Sequence, residues 1–464
     1  IIAAKEHGVD PKGEMWKLPA EYVGFYAEQD ARLTYLLWQQ LKKEIMQQSL
    51  ETVWELESNL LPVLIAMRQR GVRVQVELAE KLRLKMQSQE KEIRLAIQKE
   101  SGLDIDIWAA RQIAKAFDKM KIEYPRTPKS DEPSFTQNWL INCKHKIAKL
   151  IVKAREINKF HNTFLSSIMK YHVKGRIHGE INQLRSQTGG TVTGRFSYQN
   201  PNLQQIPARN KDLGPKIRSL FMPEEGYKWG CFDYNQQEPR LVVHYASLYK
   251  LPSVYEVVDS YKENAQSDFH QTVADMAEIP RSQAKLINLG LFYGMGKAKL
   301  QAELGVSEEK AAELFDQYHD KVPFVKQLMG ITSNRVQERG QIRTLLGRLC
   351  RFPLWEPNSF GMHKALPHEE ALREHGPGIQ RAYAYKSLNK LIQGSAADMT
   401  KKSMINLHKE GIIAHIQIHD ELDISIENDK QAERIVEIME EAVTLEVPNK
   451  VDYECGKNWG DIYD

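Results

Sequence analysis

The chain has 464 residues, more than one ordinary hydrophobic core holds, and this length predicts two to four subdomains. Its 64 Lys and Arg residues against 61 Asp and Glu residues give a formal net charge of +3, so any surface for nucleic acid must be local. The four cysteines lack metal-ligand spacing, and there is neither an apolar run of about eighteen residues nor a signal-peptide pattern. We therefore expect reduced thiols and a cytoplasmic protein, without membrane insertion or secretion.

The N-terminal part is predicted to be mainly helical. Its first element is a helical stretch in which Tyr26 and Asp30 stand one turn apart. Later elements are expected in this order: an amphipathic helix at 51–71, a strand at 72–74, a charged helix at 78–99, a turn-rich segment at 127–134 and a basic helix at 144–171.

Two later segments each present carboxylates at the end of an apolar run. Residues 229–240 run into Asp233 and then turn polar, which predicts a strand that leads into a helix. Residues 416–426 alternate apolar residues on both sides of His419, Asp420 and Glu421, which predicts a hairpin whose turn carries acids. Two adjacent strands that present one carboxylate each could hold two divalent cations, the arrangement that stabilises the attacking and leaving oxygens of an in-line displacement.

A third segment lies between them. In residues 281–294, Arg281, Lys285, Leu289 and Tyr293 recur at four-residue spacing and should share one helix face. Cations one turn apart can clamp a triphosphate, and the apolar residue and phenol can meet a sugar and base.

In this order the segments resemble the motifs of family A DNA polymerases, the class of bacterial DNA polymerase I and many phage replicases. Residues 233–240 are similar to motif A, 281–294 to motif B and 419–421 to motif C. Further similarities lie at 193–195 with 200–207, at 268–270 and at 389–398, so the resemblance covers nearly the whole chain from about Tyr26.

The resemblance implies an α+β, right-hand polymerase fold with a palm of antiparallel sheet, helical fingers and a helical thumb. The implied domains are an exonuclease remnant at 1–50, the helix leading into the palm with the thumb at 51–190, palm with motif A at 191–265, fingers at 266–394 and palm with motif C at 395–464. Tyr26 and Asp30 resemble the last proofreading exonuclease motif, whose earlier motifs have no counterpart in residues 1–25. We therefore expect a truncated 3′–5′ exonuclease domain and no proofreading by this chain alone, with the missing part cut away or on another chain.

The resemblance also implies the chemistry: deoxynucleotide addition to a primer 3′-hydroxyl on a DNA template, in replication or repair. The implied catalytic residues are Asp233, Asp420, Glu421 and Lys285. Two Mg²⁺ ions, for which Mn²⁺ can substitute, would be bound by Asp233, Asp420 and the backbone carbonyl of Tyr234. The incoming dNTP would contact Arg281, Lys285, His270, Tyr293, Glu238, Gln236 and Leu289, with Arg281, Lys285 and His270 neutralising its triphosphate. Primer-template DNA would contact Arg195, Asn202, Gln204, Asn389, Gln393, His419, Arg155 and Lys159.

Several of these residues also have plainer interpretations. Arg155 and Lys159 could be solvated charges, and Asn200 to Asn202 could be a simple turn. Glu238 could be a surface residue, but a hydrogen bond to Tyr293 would close the space that a ribose 2′-hydroxyl needs and so select deoxynucleotides.

The chain also departs from the family pattern. Gln237 and Pro239 replace aliphatic residues, although Pro239 fits a first helical turn. Leu289 stands where bacterial members usually carry Phe, which puts nucleotide discrimination in doubt and favours a phage or viral source. The Pro- and Gly-rich residues 352–378 predict a long connection, either a contact loop or a passive insertion.

Three alternatives stay open. A single-subunit RNA polymerase would use the same two Asp residues, but Glu238 disfavours it. A two-metal nuclease or phosphatase would not need Arg281 and Lys285, and a non-catalytic DNA-binding protein would not need the acids. We expect a monomer, with any replisome or processivity partner unknown.

Overall fold

The computed structural model describes residues 2–127, 130–186, 189–207, 210, 212–293, 297–359, 361 and 363–463, with the backbone alone at 297–299 and 463. The helices are α1 (Ile2–Glu6), α2 (Ala20–Gln47), α3 (Glu51–Arg70), α4 (Val76–Ser101), α5 (Ala110–Lys119), α6 (Gln137–Asn142), α7 (Lys146–Lys159), α8 (Ser166–Tyr171), α9 (Gly214–Arg218), α10 (Gln237–Leu248), α11 (Val254–Glu263), α12 (Phe269–Ala277), α13 (Arg281–Phe292), α14 (Lys297–Leu304), α15 (Glu308–Lys321), α16 (Pro323–Arg339), α17 (His368–His375), α18 (Ser387–Lys409) and α19 (Asp429–Glu440).

The strands are β1 (Val72–Val74), β2 (His172–Val173), β3 (Arg176–Ile177), β4 (Glu180–Asn182), β5 (Ser197–Gln199), β6 (Phe221–Met222), β7 (Lys228–Tyr234), β8 (Gln341–Arg343), β9 (Leu349–Arg351), β10 (Leu354–Pro357), β11 (Leu366–Pro367), β12 (Ile379–Arg381), β13 (Ile416–Ile418), β14 (Glu421–Ile426) and β15 (Val451–Gly456). The strands pair antiparallel, which agrees with the predicted α+β class. Within the described residues, no helix has the length and apolar character that a membrane crossing requires.

The central sheet has the strand order β13-β14-β7-β15. Side chains alternate between the two faces of β7. On one face Phe232 stacks on Tyr453 with ring centroids 4.9 Å apart, and the Tyr234 hydroxyl is 2.7 Å from Ser403 Oγ of α18 and 2.5 Å from the Met439 carbonyl of α19. Helices α18 and α19 therefore cover this face, and the opposite face is left for the polar residues of the strands.

A smaller sheet, β2-β3-β1-β6, lies where α3 ends. The helix stops at Gly71, whose φ is 61°, and a Cβ there would approach the Ile177 carbonyl to 2.8 Å. Glycine is needed because other residues pay a steric penalty in this conformation and would clash with β3. This turn confirms the predicted end of the helix and directs the chain into β1.

The first part of the helical stretch predicted at 144–171, as far as Ala154, packs in a small hydrophobic core, whereas its later residues are buried in the larger core. Phe117 of α5 lies 5.1 Å from Phe135 and 5.9 Å from Trp139 of α6, between ring centroids, and Ile151 of α7 is fully buried in the same cluster. The stretch is helical throughout, but it changes to a π-helix at Phe160–Leu165, between α7 and α8. This core is separate from the larger one that includes the central sheet and α10 to α16.

Residues 352–378, predicted to form a long connection, contain regular secondary structure. Strands β10, β11 and β12 form a small sheet there, and α17 packs against it. Trp355 supports this unit: its ring lies 4.7 Å from that of His368 and 4.4 Å from the guanidinium carbon of Arg381. Phe360 and Met362 lie outside the described residues.

Four buried charges join α3, the turn between β8 and β9, and α18. The Glu57 carboxylate accepts hydrogen bonds from Lys401 Nζ at 2.7 Å and from Arg348, and Arg348 Nε donates to Asp398 Oδ1 at 2.9 Å. Lys401 and Asp398 are fully buried. Burial alone would raise the pKa of Glu57, but Lys401 and Arg348 lower it below its ordinary value.

Replacing Glu57 by alanine should reduce the free energy of unfolding by about 3–5 kcal/mol, because Lys401 would keep its buried charge without its closest partner. Equilibrium chemical denaturation of the full chain measures this loss. Glu55→Ala is the matched control, since Glu55 lies on the exposed face of the same helix and should change the value by less than about 0.5 kcal/mol. Equal stability of the two variants would contradict the role given to the network.

Candidate active site

The predicted acids meet at one end of the central sheet. Asp233 on β7 lies directly opposite Glu421 on β14, and Asp452 on β15 lies opposite Asp233 on its other side. Directly opposed residues project from the same face. Asp420 lies in the two-residue turn before β14, where His419 adopts a φ of 57°. The predicted hairpin is therefore confirmed, and it brings Asp233, Asp420 and Glu421 together.

These carboxylates strongly repel one another. Burial, followed by the charges of Asp420 and Glu421, raises the pKa of Asp233 to about 8. Burial also raises the pKa of Asp420 to about 6. Asp233 Oδ1 is buried and has no hydrogen-bond partner among the described residues. Carboxylate oxygens left without donors suit hard divalent cations, so this group of residues fits a divalent metal site.

The main chain beside Asp233 is held firmly. The Tyr234 side chain is buried among α18 and α19, and the Tyr234 amide donates to the Asp420 carbonyl at 3.3 Å. Strand β7 then runs into α10, as predicted, with Pro239 in the first turn of the helix. The Tyr234 backbone carbonyl, predicted to bind metal, therefore belongs to a fixed strand end.

Helix α13 confirms the predicted four-residue pattern. Arg281, Lys285 and Tyr293 are exposed and Leu289 is half-buried, whereas Ile287 on the opposite face is fully buried. Arg281 Nε donates to Asp268 Oδ2 at 2.8 Å, and Asp268 also caps α12. Gly294, the last residue of the predicted motif, lies outside the described residues.

His270 differs in charge from its predicted role. It is buried, and desolvation lowers its pKa to about 4, so the imidazole is neutral at pH 7. His270 Nδ1 lies 3.2 Å from Asn288 Nδ2, and Asn288 Oδ1 accepts a hydrogen bond from the Tyr318 hydroxyl. His270 can therefore offer a hydrogen bond to a phosphate, but no positive charge.

Sequence reasoning missed Asn288 and Tyr318. Asn288 is fully buried on the apolar side of α13, and Tyr318 is fully buried in the larger hydrophobic core. A polar residue on the buried face of an amphipathic helix must find a partner, and this was the signal that could have revealed it.

Glu238 joins α10 to the end of α13. Its Oε2 accepts a hydrogen bond from the Tyr293 hydroxyl at 2.9 Å, which confirms the predicted bond. Its Oε1 accepts from Arg195 at 2.5 Å, a pairing that sequence reasoning did not identify. Burial and the charge of Glu238 raise the pKa of Tyr293 to about 12, so the phenol keeps its proton. The three side chains form one cluster of zero net charge, an ion pair and a neutral phenol.

The side chain of Gln236 is committed to structure. Its Oε1 accepts from the Phe269 amide at 2.8 Å and its Nε2 donates to the Ser267 carbonyl at 3.1 Å. Arg240, which sequence reasoning gave no role, is buried and donates to the carbonyls of Asn235 and Ala265. The segment that follows Asp233 is therefore tied to residues 265–269 by two polar side chains.

Some of the predicted DNA contacts line one open cleft of about 560 Å³. Lys159, Gln204 and His419 contribute to its wall. Gln204 Nε2 donates to the Gln417 carbonyl at 3.2 Å, and Asn202 Oδ1 accepts from the Gln204 amide at 3.1 Å, so both amides are positioned by the protein.

Asn389 and Gln393 stand one turn apart on α18, half-buried. Gln393 is also hydrogen-bonded to Tyr293. Helix α18 therefore reaches the same region as the end of α13.

Arg155 does not have the position predicted for a DNA phosphate contact. Its Nε donates to the Ile107 carbonyl at 2.7 Å, and a second guanidinium nitrogen donates to the Phe135 carbonyl at 3.0 Å. The guanidinium also lies over Trp108 at 5.2 Å from the ring centroid. We correct its assignment: Arg155 stabilises the small core, whereas Lys159, one turn further along α7, is exposed to the cleft.

Comparison with known proteins agrees with this geometry. Residues 76–461 match the model of DNA polymerase family A. A DNA-directed DNA polymerase of Pseudomonas phage M6 is 36% identical over 99% of this chain and 73% of its own length. DNA polymerase I of Geobacillus stearothermophilus is 31% identical over 88% of this chain and 46% of its own length.

A solved structure is also similar. The POL domain of Pol1 from M. smegmatis, in complex with a DNA primer-template and dNTP, superposes with a TM-score of 0.72 at 26% identity, over 88% of this chain and 70% of that one. The fold and the comparisons thus define a DNA polymerase. The chain belongs to DNA polymerase family A. Polymerases of this family depend on metal ions, and the acids described above fit such ions.

Divalent-cation binding should strengthen as the pH rises from about 6 to about 8, because the cation competes with protons on Asp420 and Asp233. We expect about a tenfold gain in affinity per pH unit for each proton displaced. Calorimetric titration of the full chain with Mn²⁺, without DNA, measures it.

The same raised pKa values make the metal-free protein less stable as the pH rises through this window, since the folded chain holds protons that the unfolded chain has lost. Asp233→Asn is the control variant. Near pH 8, it should remove the change of cation affinity with pH and also the change of stability with pH. An affinity that does not change between these pH values would contradict the assignment.

Proposed function

We propose that the protein is a template-directed DNA polymerase that adds deoxynucleotides to a primer 3′-hydroxyl. The observation that carries the proposal is the hydrogen bond between Tyr293 and Glu238. Glu238 follows Asp233 by five residues in the chain, so this bond ties the end of the cationic helix α13 to the segment that carries the catalytic acid. Similarity to phage and bacterial DNA polymerases supports the same reaction.

We propose that Asp233, Asp420 and the Tyr234 carbonyl hold two Mg²⁺ ions, for which Mn²⁺ can substitute, and that Glu421 supports them. When bound, such ions lower the pKa of the primer hydroxyl and stabilise the leaving pyrophosphate. The residues' own contribution is to keep hard oxygen donors together despite their repulsion, and the fixed ends of β7 and β14 support this role.

The outward face of α13 would bind the triphosphate. Arg281 and Lys285 would supply positive charge, and Lys285 would protonate the leaving group. His270 contributes a hydrogen bond as a neutral donor. Arg281 would exchange its pairing with Asp268 for a phosphate, which can couple triphosphate binding to a movement of α13.

The cluster of Glu238, Tyr293 and Arg195 would select the sugar. A carboxylate already held by two donors cannot move aside to accept a ribose 2′-hydroxyl. Leu289 would pack on the sugar and base, and Gln236 would act through the backbone since its side chain is engaged with α12.

We further propose that primer-template DNA follows the cleft lined by Lys159, Gln204 and His419, with Arg195, Asn202, Asn389 and Gln393 near the primer terminus. Donors at Asn202 and Gln204 suit minor-groove acceptors that correct base pairs share.

The domain boundaries predicted from the sequence are retained in this proposal. A monomeric state is retained as well, and so is action in a bacterial host's cytoplasm, in keeping with the phage relatives.

Primer extension with dNTPs tests this function. Asp420→Ala should lower the rate by about a thousandfold or more, since several kcal/mol of transition-state stabilisation are lost, and leave DNA affinity largely intact. Glu427→Ala removes an exposed carboxylate at the other end of β14 and should extend primers normally.

In the same assay, ribonucleotides should support extension poorly unless Glu238 is changed to alanine. Retained extension by Asp420→Ala would refute the acid pair, and shortening of the primer without nucleotides would reveal a nuclease instead.

Two neighbouring cations on α7 test the DNA path. Lys159→Met should weaken DNA binding and reduce the slope of log affinity against log salt concentration by about one, without loss of stability. Arg155→Met should leave that slope unchanged and lower the free energy of unfolding by about 1–3 kcal/mol, because two buried carbonyls lose their donor. Salt titrations of DNA binding and chemical denaturation separate the two effects, and the reverse pattern would overturn the corrected assignment.

A further inference from the structure

The same face of the central sheet carries a second cluster, two residues before Asp233 along β7. The pairing of β7 with β14 sets Asp233 opposite Glu421 and Cys231 opposite Asp423. The Cys231 sulfur and one carboxylate oxygen each of Glu421 and Asp423 lie within 4.8 Å of one another. The cluster thus offers one sulfur and two oxygen donors, between the catalytic acids and the fully buried Trp229.

Asp423 is a buried carboxyl group that lies beside the carboxyl group of Glu421. The residue is 0% exposed, and its Oδ1 accepts a hydrogen bond from Trp229 Nε1 at 2.8 Å. Its Oδ2 is buried and accepts no hydrogen bond from an N–H or hydroxyl group in the part of the chain that the structure describes. Burial and Glu421 raise the pKa of Asp423 well above its ordinary value. A second carboxyl group so close needs either a shared proton or a cation.

The neighbouring arginine does not fill this role. Arg218 favours the charged form of Asp423, but its Nε donates to the Pro207 carbonyl at 3.2 Å and its guanidinium stacks on Trp459 at 4.3 Å from the ring centroid. These two contacts orient the guanidinium towards Pro207 and Trp459.

We propose that Cys231, Glu421 and Asp423 bind a thiophilic divalent cation of the zinc type, at a site separate from the catalytic ions. Zinc accepts thiolate and carboxylate ligands together, often with three protein ligands and one open position, whereas Mg²⁺ prefers oxygen alone. Bond lengths of about 2.0–2.3 Å place tetrahedral donors roughly 3.5 Å apart, so the three side chains close by about an ångström on binding.

The site does not depend on the proposed polymerase function, but it shares Glu421 with the acids assigned to that function. Glu421 lies directly opposite Asp233, so a cation that holds Glu421 also fixes the orientation of a carboxylate beside the catalytic acids. The proposed cation is structural, and it takes no part in bond making or breaking.

Co²⁺ alone, added to the full metal-free chain without DNA, is the probe. A thiolate bound to Co²⁺ gives a charge-transfer band in the near ultraviolet, which carboxylate ligands cannot produce, so Co²⁺ bound by carboxylates alone gives no such band. We expect one such ion per chain, displaced by Zn²⁺ but not by excess Mg²⁺. Polymerase activity is not part of the readout, so failure of this site and failure of the proposed function are distinguishable.

Two variants and a control decide the assignment. Cys231→Ser should abolish the band, and Asp423→Asn, which keeps an acceptor for Trp229, should weaken Co²⁺ binding by about tenfold or more. Cys455→Ser is the matched control, because Cys455 lies opposite Gly230 on the other face of the same sheet and is exposed. Absence of a band in the unaltered chain, or a band that survives in Cys231→Ser, would overturn the proposal and show that the two carboxyl groups share a proton.

Discussion

The antiparallel register between β7 and β14 is the constraint on which the site depends. It sets Asp233 against Glu421 and Cys231 against Asp423, over strands almost two hundred residues apart in the chain. A slip of one residue would turn the acids into the hydrophobic layer formed with α18 and α19 and bring Phe232 to the cleft. Burial of Phe232 and Tyr234 on the other face therefore stabilises this register. Packing on that face keeps the mutually repelling carboxylates together.

Helix α13 combines two polar systems that differ in charge because they differ in solvation. On its inner side, Asn288 forms a neutral hydrogen-bonded network with His270 of α12 and Tyr318 of α15. Ionisation of these groups would be costly in a low-dielectric core. Its outer side carries Arg281 and Lys285 in water, where charge costs little until a ligand displaces the solvent. The buried network fixes the rotation of the helix, and that rotation aims the cations.

The sequence allowed a good prediction where information is local. Four-residue spacing predicted the open face of α13, and alternation around His419 predicted the hairpin. The hydrogen bonds of Arg155 could not be predicted in this way, because no local pattern shows that a guanidinium will donate to the carbonyls of Ile107 and Phe135. The cluster at Cys231 and Asp423 was missed for a related reason: each strand shows which face a residue takes, but only the pairing shows which residues meet. In 352–378, short strands with frequent Pro and Gly resemble irregular chain.

The small unit of β10, β11, α17 and β12 leaves and rejoins the protein at one place. The Phe352 amide donates to the Gly340 carbonyl at the end of α16, and Arg381 exchanges two backbone hydrogen bonds with the side chain of Gln337 in the last turn of the same helix. Both stems are therefore anchored within one helical turn. The chain between them can lengthen, shorten or be replaced without shifting α13 or the acids, which makes this unit a natural place for related proteins to diverge and for a foreign domain to be spliced in.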